Sequence, residues 1–69
     1  MTRNELRDLM RRHGVIQRDL ATLTGRTERA VYNWMQGVRP LPKSVELLLL
    51  ALDEGRIDGS WLISKIRKI

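Results

Sequence analysis

The amino-acid sequence predicts an all-α domain of five short helices. Apolar residues recur at helical spacing along most of the 69-residue chain, as expected for helices with one buried face. Glycines and capping residues divide this pattern into short segments, and no stretch alternates apolar and polar residues as a half-exposed strand does. A chain of this length forms one domain, residues 1–69, with a small core.

The first two helices are predicted from signals at both of their ends. Thr2 and Glu5 form a T-x-x-E capping box that opens the first helix, and Gly14 ends it. The second helix begins at about Gln17 and is closed by Gly25. The residues expected in the core are Leu6, Leu9 and Met10 of the first helix and Leu20, Ala21 and Leu23 of the second.

The third helix has two chemically different sides. Thr27 caps it and Gly37 stops it. At about 100° per residue, the apolar side consists of Ala30, Val31 and Trp34, and the polar side of Glu28, Arg29, Tyr32, Asn33 and Gln36. We therefore expect Trp34 to anchor the core while the polar side faces outward.

Two further helices follow the loop VRPLPK. The fourth spans about 43–54, with Pro42 suited to its first turn, and the fifth spans about 60–68, capped by Asp58 or Ser60. The fourth helix is apolar all round, so both of its sides need to be covered. Its faces are Val45, Leu48, Leu49 and Leu52 on one side and Leu47, Leu50 and Ala51 on the other.

Charge and composition narrow the classes of function. Residues 1–43 hold nine basic and four acidic residues, whereas residues 44–69 hold four of each, so the net charge of +5 lies in the first part. A basic lobe is expected of a nucleic-acid-binding protein, although many small proteins are mildly basic. Cysteine is absent and His13 has no partner that spacing identifies, so we expect no metal, cofactor, small-molecule ligand or enzymatic activity. No apolar run is long enough for a membrane span, and we expect a cytoplasmic protein without a membrane partner.

The second and third helices have the spacing of a helix–turn–helix, at about 17–36. Ala21 is small where two helices cross, and Gly25 lies where the turn requires a positive φ. Arg, Asn and Gln on the polar side of the third helix are the side chains that pair two-pronged with guanine or adenine edges. A plain solvated face is the alternative, but such faces favour stronger helix formers than Tyr, Asn and Thr.

The stretch that contains these residues is GVIQRDLATLTGRTERAVYNWMQGVRPLP, in which Gln17 opens the second helix and Ala21 and Gly25 follow. In its tail, NWMQGVRPLP, Trp34 precedes the glycine at position 37. The stretch resembles the Cro/CI-type (XRE) helix–turn–helix family of bacterial and phage repressors, over about Leu6 to Leu52. The resemblance implies a lambda-repressor-like DNA-binding domain. The run RPLPKSVELLLLAL is also similar to small phage and bacterial members, including the short regulators encoded beside anti-CRISPR proteins.

The resemblance implies how this chain would contact double-stranded DNA. Gln17 would contact a phosphate or a base edge, Arg39 would brace the backbone, and Arg26 would lay its stem on the core and direct its guanidinium to DNA. Glu28 would either accept from a cytosine amino group or, as we favour, pair with Arg29, Tyr32 or a nearby arginine. Ile16 departs from the Ser or Thr cap usual in the family, so the second helix needs another acceptor for its first amides. The expected DNA-binding residues are Gln17, Arg18, Arg26, Thr27, Glu28, Arg29, Tyr32, Asn33, Gln36, Arg39 and Lys43.

The C-terminal helices predict a homodimer. A symmetric dimer through this neutral part would leave both basic lobes free to bind the half-sites of an inverted repeat. The alternative is that the fifth helix merely covers its own monomer, and Trp61 fits either an interface or the edge of the core. The expected interface residues are Leu47, Leu50, Trp61, Leu62, Ile66 and Ile69.

The sequence therefore predicts a sequence-specific, double-stranded DNA-binding transcriptional regulator. We expect a homodimeric repressor of its own or an adjacent operon, of a phage or mobile-element type that includes anti-CRISPR operons. The alternative is an antitoxin-like interaction module that neutralises a partner protein. Such modules often carry a disordered tail after the DNA-binding part, and this sequence ends soon after its fifth helix.

Overall fold

The computed structural model describes residues 1–67, and every regular element in that range is an α-helix. The helices are α1 (Arg3–Arg12), α2 (Gln17–Thr24), α3 (Glu28–Gln36), α4 (Lys43–Asp53) and α5 (Gly59–Ile66). The prediction of an all-α domain with five helices is confirmed for this part of the chain. The predicted end of the fifth helix at Lys68 lies outside the described residues.

Most of the helices begin at the caps that the sequence predicts. The Thr2 hydroxyl accepts the Glu5 N–H at 3.1 Å, and the Glu5 carboxylate accepts the Thr2 N–H at 2.8 Å, which completes the capping box. The Thr27 hydroxyl accepts an N–H of the first turn of α3 at 3.1 Å. Asp58 is the cap that forms on α5. α4 begins at Lys43 as predicted, and Pro42 is its N-cap, immediately before the first turn.

One core joins the helices. α3 packs against α1 and α2, and α5 packs against α2. Trp34 is 6% exposed, so its predicted place in the core is confirmed. The buried apolar residues are Leu6, Leu9, Met10, Val15, Leu20, Ala21, Val31, Trp34, Val45, Leu49, Leu52 and Leu62. None of the helices among residues 1–67 combines the length and the apolar character needed to cross a bilayer.

A three-residue connection, residues 25–27, sets α3 against α2. Gly25 has φ 69°, a left-handed conformation that a residue with a Cβ adopts only at a cost in free energy. The Arg26 N–H then donates to the Ala21 carbonyl at 3.0 Å. Because this bond satisfies a carbonyl in the last turn of α2, the chain can leave that helix abruptly and begin α3 beside it.

A buried carboxylate at the start of α2 is held by the end of α5. Asp19 is 2% exposed, and Arg67 donates from Nε to its Oδ1 at 3.0 Å and from Nη2 to its Oδ2. These hydrogen bonds hold the pKa of the Asp19 carboxyl below its ordinary value. Oδ2 also accepts the Ile16 N–H at 3.1 Å, so Asp19 supplies one half of a capping box, while the Ile16 side chain provides no acceptor for the first amides of α2.

Candidate nucleic-acid interface

The outward side of α3 is polar along its whole length. Val31 and Trp34 are buried on the inward side and fix the rotation of the helix about its axis. The polar residues are therefore directed away from the core: Glu28, Arg29 and Tyr32 are exposed, and Asn33 and Gln36 are half-buried. The two-sided pattern predicted for this helix is confirmed.

Arg29 and Tyr32 form a pair on this surface. The guanidinium carbon of Arg29 lies 5.2 Å from the centroid of the Tyr32 ring, within the range of a cation–π contact. Tyr32 is 40% exposed, so one edge of the pair remains open to solvent. The contact limits the conformations of Arg29 while leaving its N–H groups free of any carboxylate of residues 1–67.

Glu28 differs from every other acidic residue of the protein. Seven of the eight acidic side chains cap a helix or pair with a cation: Glu5, Asp8, Asp19, Glu46, Asp53, Glu54 and Asp58. Within residues 1–67 the Glu28 carboxylate does neither, so the pairing that we favoured with Arg29, Tyr32 or a nearby arginine is absent. The side chain of Arg29 packs on Tyr32 instead.

Gln17 connects the beginning of α2 to the beginning of α3. Its side-chain Nε2 donates to the backbone carbonyl of Glu28 at 2.9 Å. One amide hydrogen is used within the protein, and the second hydrogen and the amide oxygen remain available. Gln17 is half-buried, which suits a residue that holds two helices together and still reaches a ligand.

The cationic residues predicted to bind DNA differ in whether a carboxylate of the protein already pairs with them. Arg18, Arg26 and Arg39 are exposed, and none forms an ion pair with a carboxylate in the part of the chain that the structure describes. Arg26 lies beside the first turn of α4, where it shares a shallow groove with Val45. Lys43 lies 3.6 Å from the Glu46 carboxylate, so its charge is partly neutralised.

The connection after α3 is held to the helix by its backbone. The N–H groups of Val38 and Arg39 both donate to the Asn33 carbonyl, at 2.9 and 3.4 Å. This arrangement places Arg39 beside the C-terminal end of α3. Six of the predicted residues lie on α3 or are its cap: Thr27, Glu28, Arg29, Tyr32, Asn33 and Gln36. Gln17 and Arg39 are hydrogen-bonded to this helix. Within residues 1–67, Arg18 and Lys43 form no hydrogen bond or ion pair with it.

Arg3 was not among the residues predicted from the sequence, although it borders this surface. Its Nη1 donates to the Gln36 carbonyl at 3.1 Å, at the end of α3 where a cation also interacts favourably with the helix dipole. A Cβ on Gly37 would lie 3.1 Å from the Arg3 Cδ, so the arginine packs closely over the turn. The helical repeat of Arg3, Arg7 and Arg11 is visible in the sequence, but their position beside α3 is not.

The residues predicted for the dimer interface are only partly accessible. Leu62 is 7% exposed and belongs to the core of its own chain, because α5 folds that face onto α2, so it is not available to a second copy. Leu47 and Trp61 are 55% and 56% exposed, and Leu50 and Ile66 are half-buried. Ile69 lies outside the described residues.

A second polar cluster lies where α1 and α4 end. The Asp53 carboxylate accepts from His13 Nε2 at 3.0 Å and pairs with Arg12 at 2.9 Å. The hydrogen bond from His13, followed by the charge of Arg12, holds the pKa of Asp53 below its ordinary value. This cluster joins two helix ends, and within residues 1–67 no group of three or more metal-ligating side chains occurs.

Compared with models of protein families, with curated proteins and with solved structures, the chain matches none of them.

Proposed function

We propose that this protein is a sequence-specific, double-stranded DNA-binding transcriptional regulator in which α2 and α3 form a helix–turn–helix of a lambda-repressor-like domain. The observation that carries the proposal is the outward side of α3. It combines arginine, asparagine, glutamine and a carboxylate, and among residues 1–67 none of these side chains is used in an ion pair or a hydrogen bond that holds the fold.

In this proposal α3 enters the major groove and reads base edges. Arg29 donates two hydrogen bonds to guanine O6 and N7, and Asn33 pairs with adenine N6 and N7. Each such pair discriminates against a wrong base by about 1–3 kcal/mol. Arg18 and Arg39 contact phosphates on either side and set the orientation of the domain without reading sequence.

The proposed regulator acts as a homodimer. Leu47 and Trp61, with the half-buried Leu50 and Ile66, supply an apolar surface for a second copy. Two copies related by a two-fold axis would read an inverted repeat whose half-sites lie about one DNA turn apart. A dimer bound over a promoter excludes polymerase, which gives a repressor of its own or an adjacent operon. Operons of phages and mobile elements, anti-CRISPR operons among them, are the proposed targets.

The same exposed apolar residues favour a second candidate function, an antitoxin-like module that neutralises a partner protein. Leu47 and Trp61 would then contact a different chain. Gel filtration and pull-down from host lysate distinguish the two candidates. A stoichiometric partner that displaces DNA supports the antitoxin, whereas a homodimer that binds DNA alone supports the regulator.

The test of the regulator is selection of bound duplexes from random DNA, followed by sequencing. We expect an inverted repeat that contains guanine and adenine at fixed positions. Recovery of duplexes with no shared sequence, or no retention of duplex DNA at low salt, contradicts the proposal. The Arg29→Ala/Asn33→Ala double variant is the matched comparison, and the duplexes that it selects should lose the fixed guanine and adenine.

A further inference from the structure

The exposed face of α1 carries a row of arginines that the fold does not explain. Arg3, Arg7 and Arg11 are spaced i, i+4, i+8, so they follow one another along a single face. Like charges at this spacing destabilise a helix. Arg3 is also the first residue of α1, where a cation interacts unfavourably with the helix dipole. Arg11 lies in the last turn, where a cation interacts favourably with the dipole, but helix stability gives no reason for Arg7 or for the row as a whole.

Internal pairing removes little of this charge. Arg7 forms no ion pair with a carboxylate in the described part of the chain. Arg11 lies 3.3 Å from Asp8, but the two side chains are 79% and 55% exposed, so the pair is weak. Asp8 is also shared with Arg12 at 3.2 Å, and Glu5 is occupied in the capping box.

The arginine row borders the proposed DNA-reading helix. Arg3 donates to the Gln36 carbonyl at the end of α3, which joins the start of the row to that helix. Arg7 and Arg11 line an open groove together with Met35 of α3. A polyanion lying along the C-terminal half of α3 would therefore pass beside the row.

We propose that Arg7 and Arg11 bind the phosphate backbone of the duplex that flanks the bases read by α3. The inference rests on the proposed function and adds a phosphate-contacting surface on α1 to it. Phosphate contacts set affinity and register without reading sequence, so this surface acts on every duplex alike. Arg3 is left out of the test because its guanidinium is bonded to the Gln36 carbonyl, so its substitution would also alter the contact between α1 and α3.

The test compares two double variants that each remove two positive charges. Arg7→Gln/Arg11→Gln alters the row, and the control, Arg56→Gln/Lys68→Gln, removes two positive charges from the C-terminal half while keeping Lys65, which packs on Trp61 of the proposed dimer surface. The dissociation constant for a selected duplex is measured at several salt concentrations. Each lost phosphate contact reduces the slope of log K against log salt by about 0.9, so we expect the row variant to lose about 1.8 for each subunit of the bound dimer and the control to keep the wild-type slope.

The results distinguish failure of the phosphate surface from failure of the proposed function. A row variant whose salt slope equals that of the control overturns the phosphate surface while leaving the proposed function intact. A wild-type protein that binds no duplex overturns both. Unchanged base preference in the row variant, with unchanged thermal unfolding, supports a contact that positions the duplex and does not read it.

Discussion

The guanidinium of Arg67 and the buried carboxylate of Asp19 bind each other across 48 positions of the chain. The Asp19 side chain is 3% exposed and the Arg67 side chain 47%, so the pair is buried at its acidic end only. An ionised carboxylate is unfavourable in the interior unless it is paired and hydrogen-bonded, and Arg67 supplies most of that pairing. Nη2 of Arg67 also donates to the Gly14 carbonyl at 3.3 Å, so the end of α5 fixes the start of α2.

Replacement of Arg67 by alanine is expected to lower the melting temperature. In this variant the Asp19 carboxylate stays buried, and within residues 1–67 the Ile16 N–H is the donor that remains to it. Arg56→Ala is the matched control, since Arg56 pairs at 3.9 Å with an exposed carboxylate, and it should have little effect. Adding Asp19→Asn to Arg67→Ala should recover part of the loss, because the unpaired charge is gone. Equal melting temperatures for the two alanine variants would contradict this role of Arg67.

Acid is expected to destabilise the wild type through Asp19. Hydrogen bonds from Arg67 place the folded-state pKa of this carboxyl below the ordinary value of 3.8. Its contribution to stability is therefore present above the ordinary pKa and is lost as the pH falls through the folded-state pKa. Asp53, whose pKa is lowered by His13, acts in the same direction, so the comparison is with Asp19→Asn. Urea midpoints between neutral and strongly acidic pH should converge for the two proteins, and a constant difference would refute the prediction.

Two glycines should respond oppositely to substitution by alanine. Gly25 has φ 69°, so Gly25→Ala is expected to reduce the free energy of unfolding by about 1–2 kcal/mol. Gly59 has no such φ, and a Cβ there would meet Leu52 Cδ1 at an ordinary 3.6 Å. Gly59→Ala should be neutral or stabilising, by up to about 1 kcal/mol, because it restricts the unfolded chain. Chemical denaturation measures the free energy of unfolding of both variants. A Gly25→Ala variant as stable as wild type would contradict the expected strain at this position.

Substitutions should distinguish the residues that read bases from those that bind the DNA backbone. Arg29→Ala and Asn33→Ala are each expected to weaken the selected duplex by about 1–3 kcal/mol and to relax preference at particular base pairs. Arg39→Ala should weaken all duplexes alike and reduce the salt slope by about 0.9 for each bound subunit. Competition binding with single-base-pair variants of the selected duplex measures both effects. If Arg29→Ala retained the wild-type preference at every position, α3 would not read bases through this residue.

The oligomeric state should depend on the exposed apolar residues. Leu47→Glu and Trp61→Glu are each expected to convert a homodimer to a monomer, because a carboxylate is unfavourable in an apolar interface. Ile16→Glu, at another exposed apolar residue, is the control and should leave the dimer intact. Analytical ultracentrifugation distinguishes the states. A wild type that is already monomeric at high concentration would contradict the dimer directly.

Features that depend on local spacing could be predicted from the sequence. Leu6, Leu9, Val31 and Trp34 are buried as the helical repeat predicts, and Gly25 has the left-handed conformation expected of it. Each of these features is determined within about one helical turn, which the order of residues contains directly.

Features that depend on how helices meet could not be predicted. The apolar repeat of α5 indicates that Leu62 is buried but not against which partner, and the structure places it in the core of its own chain. The bond between Arg67 and Asp19 joins residues 48 positions apart, and the bond from Arg3 to Gln36 joins residues 33 apart. Neither has a local signal. Glu28 lacks the predicted ion pair within residues 1–67, and adjacent residues of a helix such as Glu28 and Arg29 do not face each other.

On the proposed DNA-reading surface Glu28 has no cation partner among residues 1–67, and this affects how the protein would discriminate between duplexes. Within the proposed complex, Glu28 repels any duplex that offers it no hydrogen-bond donor, since a desolvated carboxylate without a partner raises the free energy of that complex. Its net effect is then to reject wrong operators more than to attract the right one. The protein would bind its operator somewhat less tightly, and it would dissociate sooner from the other sequences of a genome.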